Sequence, residues 1–264
     1  MSNVYKPFIA RILKIIPHTD IDYTFLLAYA GPVKPGQFFE VSLPKYGEAP
    51  ISVSDIGDGY IGLTIRRVGV VTNTIHELRA GDALFLRGPY GNGFDISEFK
   101  GQEIVVAAGG TGLAPVKGIV DYYAAHPGEA KSFTLLTGFK SPQDILFRSD
   151  LATWQKSIAV ILTVDKSEDG QYQGNTGLVT AYVPSLPVAD LSTAQIIVVG
   201  PPLMMKFTVA EFLRQGAAEQ NIWVSYERKM CCGIGKCGHC KMDDTYICLE
   251  GPVFNYTRAK TLLD

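Results

Sequence analysis

All five cysteines of the 264-residue chain lie between Cys231 and Cys248, in the segment "CCGIGKCGHCKMDDTYIC". Thiols crowded into one short segment are typical of a metal site, because a disulfide framework spreads its cysteines along the chain. Four thiolates complete either an iron–sulfur cluster or a structural zinc site, and a fifth thiol is left over. The segment therefore predicts metal chemistry, and the kind of metal stays open at this point.

A second group of candidate residues forms two glycine-rich turns. "VVAAGGTGLAPV" places Gly109, Gly110 and Gly112 between an apolar strand and a helical pattern. "VVGPPLMM" repeats this arrangement at Gly200. Glycines let a backbone approach a phosphate closely, and the first amides of a helix point at the anion. Either turn alone also fits an ordinary connection, but two such turns predict two walls of one nucleotide crevice.

The elements that must position these residues fall into two patterns. Up to about residue 98, short runs such as "FIARILKII", "QFFEVSLP" and "YIGLTIRRV" are separated by turns such as "GPVKPG" and "IGDG", which predicts an antiparallel barrel or sandwich. From Gly101 the apolar runs "EIVVAAGG", "SFTLLTGF", "IAVILTV" and "AQIIVVG" alternate with helical patterns. This alternation predicts a parallel, doubly wound α/β sheet.

Composition excludes several classes of function. The formal net charge is −2 and the isoelectric point is about 6.1, so no electrostatic footprint for nucleic acid or an anionic membrane is present. No stretch approaches the length of a membrane-spanning helix, and the N-terminus resembles no secretion signal. We therefore expect a cytoplasmic protein that binds neither nucleic acid nor membrane.

A barrel followed by an α/β domain with two glycine turns resembles the ferredoxin–NADP reductase superfamily. "CGIGKCGHC", followed by Cys248 and "LEGPVFNY", is similar to electron-transfer subunits with a C-terminal 2Fe–2S lobe. "EAPISVS", "TIRRVG", "GPYGNGFD", "GGTGLAPV" and "ERKMCCGIGKCGHC" most resemble the electron-transfer subunit of anaerobic sulfite reductase. The resemblance implies an FAD-binding barrel over 1–98, an NAD-binding domain over 99–224 and a 2Fe–2S lobe over 225–264.

The resemblance also implies which thiols are ligands. Its pattern is C-x4-C-x2-C followed by a more distant cysteine, and the matching positions are Cys232, Cys237, Cys240 and Cys248. This leaves Cys231 over, as a small side chain without a metal role. Glycines between the ligands suit a loop that wraps a cluster and points amides at sulfur. A zinc site is the rival, although zinc sites usually pair two short knuckles.

The flavin site rests on the same resemblance. The superfamily's motif is an arginine, any residue, an aromatic or aliphatic residue and a serine, and the matching stretch here is Ala49–Ser52. Ala49 replaces the arginine that meets the FAD pyrophosphate, and the resemblance offers two replacements. One is Arg66 or Arg67, and the other is the loop "GVVTN", whose amides and Thr72 hydroxyl match the pyrophosphate contact of relatives. The implied FAD contacts are Pro50, Ile51, Ser52, Val53, Ser54, Ile65, Arg66, Arg67, Gly69, Val71, Thr72 and Asn73. "GPYGNGFD" is interpreted as a linker that sets backbone geometry.

The nicotinamide site is predicted at both glycine turns and at the end of a further strand. The positions are Gly109, Gly110, Thr111, Gly112, Asp165, Gly200, Pro201 and Met204. Asp165, in "ILTVDKSEDG", lies where enzymes of the superfamily that use NADPH carry Ser or Arg. An acidic side chain repels the 2′-phosphate, so we expect NADH as the donor, although the neighbouring Lys166 could approach a phosphate.

These cofactors predict an electron-transfer subunit. Nicotinamides deliver two electrons as hydride, an iron–sulfur cluster accepts one at a time, and a flavin couples the two. The chain has too few cysteines for a second cluster, so electrons must leave for a partner. The expected partner is the remainder of a sulfite reductase complex, with its catalytic and iron–sulfur subunits. The alternatives are dihydroorotate dehydrogenase, a hydrogenase and, more remotely, a zinc-binding module without turnover.

Overall fold

The protein is described by a computed structural model over residues 5–167 and 171–262. These residues form two compact units. One unit comprises the chain up to Phe94 together with Tyr226–Val253, and the other comprises Asp95–Ser225 with the C-terminal segment. The cysteine-rich segment thus belongs to the same compact unit as the N-terminal barrel. The division into three domains, at 1–98, 99–224 and 225–264, each with one cofactor, stays a prediction.

The first unit is built on six antiparallel strands. With the short helix after the fifth strand, they are β1 (Phe8–Pro17), β2 (Asp22–Ala28), β3 (Phe38–Leu43), β4 (Gly47–Gly57), β5 (Tyr60–Arg66), α1 (Val70–Ile75) and β6 (Ala83–Tyr90). They close into a barrel in the order β1-β2-β5-β4-β3-β6. The prediction of an N-terminal antiparallel barrel is therefore confirmed.

Alternating side chains explain why these strands close around a core. Along β3, Phe39, Val41 and Leu43 belong to the buried apolar cluster inside the barrel. Successive side chains of a strand point to opposite faces, so the intervening Glu40 lies on the other face. Glu40 pairs with Arg87 of β6 across the ladder, so both belong to that face. The barrel thereby presents charged groups on the face opposite its apolar interior.

The second unit is an α/β sheet. Its elements are β7 (Glu103–Gly109), α2 (Ala114–Ala125), β8 (Ser132–Phe139), α3 (Arg148–Trp154), β9 (Ala159–Val164), β10 (Asn175–Thr176), β11 (Gln195–Val199), α4 (Pro202–Arg214), β12 (Ile222–Ser225) and β15 (Val253–Asn255). The strand order is β10-β9-β8-β7-β11-β12-β15. The pairs from β10 to β12 are parallel, which confirms the predicted α/β domain.

The central strand β7 shows why this sheet forms. Every residue of "EIVVAAG" is buried, as expected for a strand with parallel neighbours on both edges and a covered face on each side. The strand ends at Gly109, and a 3₁₀ turn leads directly into α2. Short 3₁₀ helices span Ile96–Phe99, Gly110–Leu113, Pro127–Glu129, Pro142–Asp144, Val179–Ser185 and Glu219–Asn221.

The cysteine-rich segment contains little regular structure. Its elements, with the helix that follows, are β13 (Lys241–Met242), β14 (Thr245–Tyr246), α5 (Ile247–Glu250) and α6 (Tyr256–Ala259). Residues 226–240, which include four of the five cysteines, form bends and turns without a helix or strand. Within the described residues, no helix has both the length and the apolar character that crossing a membrane requires.

Candidate functional site

The five thiols differ in exposure. Cys232, Cys240 and Cys248 are buried, whereas Cys231 and Cys237 are exposed. Burial therefore separates the neighbours Cys231 and Cys232, of which the resemblance makes only the second a ligand. In the part of the chain that the structure describes, no group of three or more His, Cys, Asp and Glu side chains is arranged to hold a metal ion. The ligand set stays a prediction.

The backbone around the thiols directs amides at sulfur. The amide of Gly235 donates to Sγ of Cys248 at 3.2 Å, and that of Lys236 donates to Sγ of Cys232 at 3.4 Å. The amide of Cys248 donates to Sγ of Cys240 at 3.5 Å. Gly235 has a φ of +66°, a left-handed conformation that favours glycine. Amides aimed at sulfur stabilise negative charge there, so this loop fits an anionic thiolate cluster.

The thiols also differ in pKa. Burial, with Cys240 beside it, raises the pKa of Cys248 well above its ordinary value. A backbone hydrogen bond from His239 lowers the pKa of the exposed Cys237. A metal ligand must be a thiolate, so a bound cation would have to displace the proton of Cys248.

Arg87 connects the barrel to the segment that carries the five cysteines, residues 231–248, which we call the cysteine loop. Its Nε and Nη2 donate to the two carboxylate oxygens of Glu48, at 2.8 and 2.6 Å. Its Nη1 donates to the carbonyl of Cys232 at 3.0 Å, and Nη2 donates to that of Cys231 at 3.1 Å. Hydrogen bonding to Glu48 raises the pKa of Arg87. No pattern in the sequence indicates this contact, because Arg87 and Cys232 are 145 positions apart.

A buried carboxyl lies next to this pair. Glu40 is 0% exposed, and neither of its carboxylate oxygens has a hydrogen-bond partner among the described residues. Burial, followed by the negative charge of Glu48, raises the pKa of Glu40 to about 8. The Glu40 carboxyl is therefore largely protonated at neutral pH, and the ion pair between Arg87 and Glu48 remains charged beside it.

Asn92 anchors the end of the cysteine-rich segment. Its Nδ2 donates to the carbonyls of Glu250 and Val253, at 3.1 and 2.7 Å, and its Oδ1 accepts from the amide of Val253 at 3.2 Å. The Asn92 amide donates to the carbonyl of Gly251 at 2.8 Å. The sequence predicts a linker at "GPYGNGFD", and the structure adds that its asparagine is a polar anchor of residues 250–253.

The predicted FAD contacts lie on three neighbouring elements of the barrel unit. They lie on β4, at the end of β5, in the loop that follows and in α1, and they are Pro50, Ile51, Ser52, Val53, Ser54, Ile65, Arg66, Arg67, Gly69, Val71, Thr72 and Asn73. β4 pairs with β5, and α1 packs against β4, so the structure brings these stretches together. Their contact with a flavin stays a prediction.

The two arginines at the end of β5 have different surroundings. Arg66 donates to both carboxylate oxygens of the buried Asp22, from Nε at 2.8 Å and from Nη2 at 3.0 Å. Arg67 follows the strand and is exposed. Because side chains alternate along a strand, only one of the two is expected to reach a ligand. Since the bonds to Asp22 hold Arg66, Arg67 is the better candidate for a phosphate contact.

Thr72 closes the loop that precedes α1. Its Oγ1 accepts from the amides of Val68 and Gly69, both at 3.0 Å, and donates to the carbonyl of Gly69 at 3.2 Å. The side chain is buried, so it shapes the backbone of "GVVTN" from within. The predicted contact between its hydroxyl and a pyrophosphate stays a prediction.

The two predicted glycine turns meet in the second unit. β7 and β11 are neighbouring parallel strands, so their carboxyl ends lie side by side. A Cβ at Gly112 would lie 2.6 Å from both Cα of Gly200 and the carbonyl oxygen of Val199. Only glycine allows this approach. Met204 of α4 lies against both turns, because its Sδ would be 3.3 Å from a Cβ at Gly109 and 3.0 Å from one at Gly200.

The other predicted nicotinamide residues lie at the same edge of the sheet. Thr111 belongs to the 3₁₀ turn after β7, and Pro201 precedes α4. Asp165 directly follows β9 and is exposed, and its amide donates to the carbonyl of Phe139 at 2.8 Å. Partial burial raises the pKa of Asp165, and the positive charge of Lys140 opposes this effect. Sequence reasoning missed Lys140, which only the pairing of β8 with β9 brings close.

The quoted stretch "ILTVDKSEDG" extends beyond the described residues. Its last three positions, 168–170, lie outside them, as do residues 1–4 and 263–264 at the ends of the first and third predicted domains.

Two protein-family models match the chain. Residues 106–210 match the model described as "Oxidoreductase NAD-binding domain". Residues 227–260 match the "Iron-sulfur cluster binding domain of dihydroorotate dehydrogenase B". The first match contains both glycine turns and Asp165, and the second contains all five cysteines.

Curated relatives match nearly the whole chain. The sulfhydrogenase 1 subunit gamma of Pyrococcus furiosus is 32% identical, over 97% of this chain and 92% of its own length. A protein of Methanocaldococcus jannaschii, named "Probable dihydroorotate dehydrogenase B (NAD(+)), electron transfer subunit", is 34% identical over 94% of this chain and 90% of its own.

Solved structures share the fold. A solved structure of an NADH-dependent reduced ferredoxin-NADP oxidoreductase has a TM-score of 0.77 at 22% identity, over 96% of this chain and 92% of its own length. A ferredoxin NADP+ reductase from Neisseria gonorrhoeae, solved with FAD and NADP, has a TM-score of 0.70 at 18% identity, over 83% of this chain and 98% of its own. The predicted cofactors, NADH, FAD and an iron–sulfur cluster, agree with the matched domains and with this fold.

Proposed function

Since this chain belongs to the family of electron-transfer subunits that contains the sulfhydrogenase gamma subunits and the electron transfer subunits of dihydroorotate dehydrogenase B, we propose that it oxidises NADH and delivers single electrons to a partner protein. The observation that carries the proposal is the cysteine loop, where three backbone amides donate to the sulfurs of three predicted ligands. This loop lies in a chain that also matches an NAD-binding domain.

The cysteine loop fits a 2Fe–2S cluster held by Cys232, Cys237, Cys240 and Cys248. Three of these thiols are buried and one is exposed, so the centre would be shielded on most sides and open on one. Such a cluster supplies one-electron chemistry, and a flavin converts the two-electron hydride of NADH into single electrons. The open side, at Cys237, is where a partner could approach.

The flavin fits the face formed by β4, the end of β5 and the loop before α1. In this proposal, Thr72 holds the loop in shape, Arg67 supplies the positive charge that Ala49 lacks, and Ser52 is the remaining residue of the superfamily motif. A charge-assisted contact to phosphate is worth about 1.5–3 kcal/mol. Arg67 can therefore restore the affinity that is lost because Ala49 replaces the arginine of the motif. The flavin proposed is FAD.

The nicotinamide fits the crevice where the turns at Gly109–Gly112 and Gly200 meet. The close approach of the two turns brings backbone amides to the sheet edge where nucleotides bind in this kind of fold. Asp165 would disfavour the 2′-phosphate of NADPH, and we propose NADH as the donor. Lys166 follows Asp165 in the chain, and the positive charge of Lys140 acts on Asp165 from the neighbouring strand end. Both lysines oppose the preference for NADH, so the choice of donor is measured separately.

The partner that accepts the electrons is proposed from the relatives. The names of the relatives specify a sulfhydrogenase and dihydroorotate dehydrogenase B, so the comparisons favour the alternative partners over a sulfite reductase. We propose the catalytic subunits of a hydrogenase or of a dihydroorotate dehydrogenase as the electron acceptor. A cytoplasmic location stays a prediction.

The composition of the purified protein tests this proposal. We expect iron and acid-labile sulfide in equal amounts, FAD as the flavin released on denaturation, and a higher kcat/KM with NADH than with NADPH in the reduction of an artificial acceptor. Zinc without sulfide or flavin would support the alternative of a binding module. FMN, or equal use of NADPH, would remove the corresponding cofactor from the proposal without affecting the others.

A further inference from the structure

The guanidinium of Arg87 is almost completely enclosed. Its side chain is 7% exposed, and that of Glu48 is 27% exposed. Besides both oxygens of Glu48 and the carbonyls of Cys231 and Cys232, Arg87 donates to the hydroxyl of Tyr90, from Nη1 at 3.3 Å. A carboxylate in a two-pronged ion pair accepts from only two of the five N–H groups of an arginine, and two of the other three hydrogen bonds of Arg87 are directed at the backbone of another segment.

The two carbonyls lie where the cysteine loop begins. One belongs to Cys232, the first predicted ligand, and the other belongs to Cys231, which has no predicted ligand role. The hydrogen bonds therefore hold the peptide units on both sides of Cys232 against the face of the barrel that carries Arg87 and Glu48. A full positive charge is thereby fixed next to the first ligand, and the ion-pair partner Glu48 adds one negative charge beside it.

We infer that Arg87 is a positioning residue for the metal centre, and that its ion pair with Glu48 sets the reduction potential of that centre. This inference rests on the proposed function, because it assumes a cluster on the cysteine loop. Reduction adds one negative charge to a cluster, so a nearby cation favours the reduced form and a nearby anion favours the oxidised form. The pair holds these opposite effects in balance.

Removing Arg87 and removing Glu48 should therefore change the reduction potential in opposite directions. Arg87→Gln removes the cation and leaves Glu48, so the reduction potential should fall. Glu48→Gln removes the anion and leaves the enclosed cation, so the potential should rise. If the pair only stabilised the fold, either substitution would loosen the same contact and the two variants would change in the same direction.

A redox titration of the complete protein, followed by the electron paramagnetic resonance signal of the cluster, tests the inference. We expect the equilibrium between oxidised and reduced cluster to shift about tenfold in each variant, with opposite sign, which for a one-electron couple corresponds to about 59 mV. Arg214 and Glu211 form a matched control, because Arg214 also donates from Nε and Nη2 to both oxygens of its partner, at 2.9 and 2.6 Å, in the other unit. Arg214→Gln and Glu211→Gln should leave the potential unchanged.

Each outcome decides between the possibilities. Shifts of the same sign, or no shift in Glu48→Gln, would overturn the inference. If Arg87→Gln does not retain its cluster, the rise expected in Glu48→Gln, at a partly exposed side chain, still decides the matter. A parent protein without iron and sulfide would instead remove the proposed function, and the inference with it.

Discussion

The two compact units hold their candidate sites by different means. In the α/β unit, the site is built from the backbone: the turns after β7 and β11 meet because Gly112 lacks a side chain. In the barrel unit, two side chains hold the cysteine-rich segment: Arg87 binds the carbonyls of Cys231 and Cys232, and Asn92 binds residues just after Cys248, so the partners are 144 to 161 positions apart. The first site depends on the absence of a side chain at a close approach of two turns, whereas the second depends on hydrogen bonds that particular side chains donate.

The largest effect should come from substituting the predicted ligands, which tests whether the cysteine loop is a metal site. Cys232→Ser should lose essentially all iron and sulfide, because a serine oxygen is a poor substitute for a ligating thiolate. Cys231→Ser, at the neighbouring exposed thiol, is the matched control and should retain both. Metal and sulfide analysis distinguishes them, and the reverse result would assign the ligand to Cys231.

The backbone site can be tested by adding a single methyl group. Gly112→Ala would place Cβ at 2.6 Å from the main chain of the facing turn, so the two turns must separate. We expect KM for NADH to rise about tenfold or the free energy of unfolding to fall by about 1–3 kcal/mol. Gly128→Ala is the control, because a Cβ there meets nothing within 4 Å. Unchanged affinity and stability in Gly112→Ala would contradict the backbone account.

The contrast between the units also explains what the sequence could predict. The barrel and the parallel sheet follow from local patterns, because alternation and apolar runs each act over a few residues. The meeting of the glycine turns follows from a general rule of open α/β sheets, in which ligands bind beyond the carboxyl ends of the strands. The roles of Arg87, Asn92 and Lys140 do not, since each depends on which strands become neighbours. Thr72 is intermediate: the sequence singles it out, and the structure adds that its hydroxyl closes its own loop.

The hydrogen bonds that hold the end of the cysteine-rich segment can be removed at Asn92. Asn92→Ala removes three side-chain hydrogen bonds to Glu250 and Val253 and leaves their carbonyls without this donor. We expect the free energy of unfolding to fall by about 2–3 kcal/mol and a chelator to remove iron faster than from the parent. Asn175→Ala, which removes one exposed bond to the carbonyl of Leu162, should change neither by much. Equal effects of the two substitutions would show that Asn92 is not a special anchor.

The smallest effect concerns Glu40 and appears as a dependence on pH. Its pKa is about 8 in the folded protein and about 4.5 in an unfolded chain. Between these values the folded protein keeps a proton that the unfolded chain releases, so stability falls as pH rises through this window. Glu40→Gln lacks this loss and should gain about 1–2 kcal/mol over the parent between pH 5 and pH 8.

Urea unfolding of both proteins at several pH values measures this difference. The thiols, Arg87 and Glu48 are present in parent and variant alike, so their contributions to the difference between the two proteins largely cancel. A constant difference across the range would show that Glu40 is ionised in the folded protein at neutral pH.

The central claim is that electrons from NADH reach a cluster on the cysteine loop. Anaerobic addition of NADH to the purified protein, followed by absorption and electron paramagnetic resonance spectroscopy, tests it most directly, with dithionite defining full reduction. The account predicts that NADH bleaches the flavin absorption and produces the signal of a reduced 2Fe–2S cluster. A cluster that dithionite reduces while NADH leaves it oxidised, or a protein with no cluster signal under either reductant, would contradict the account.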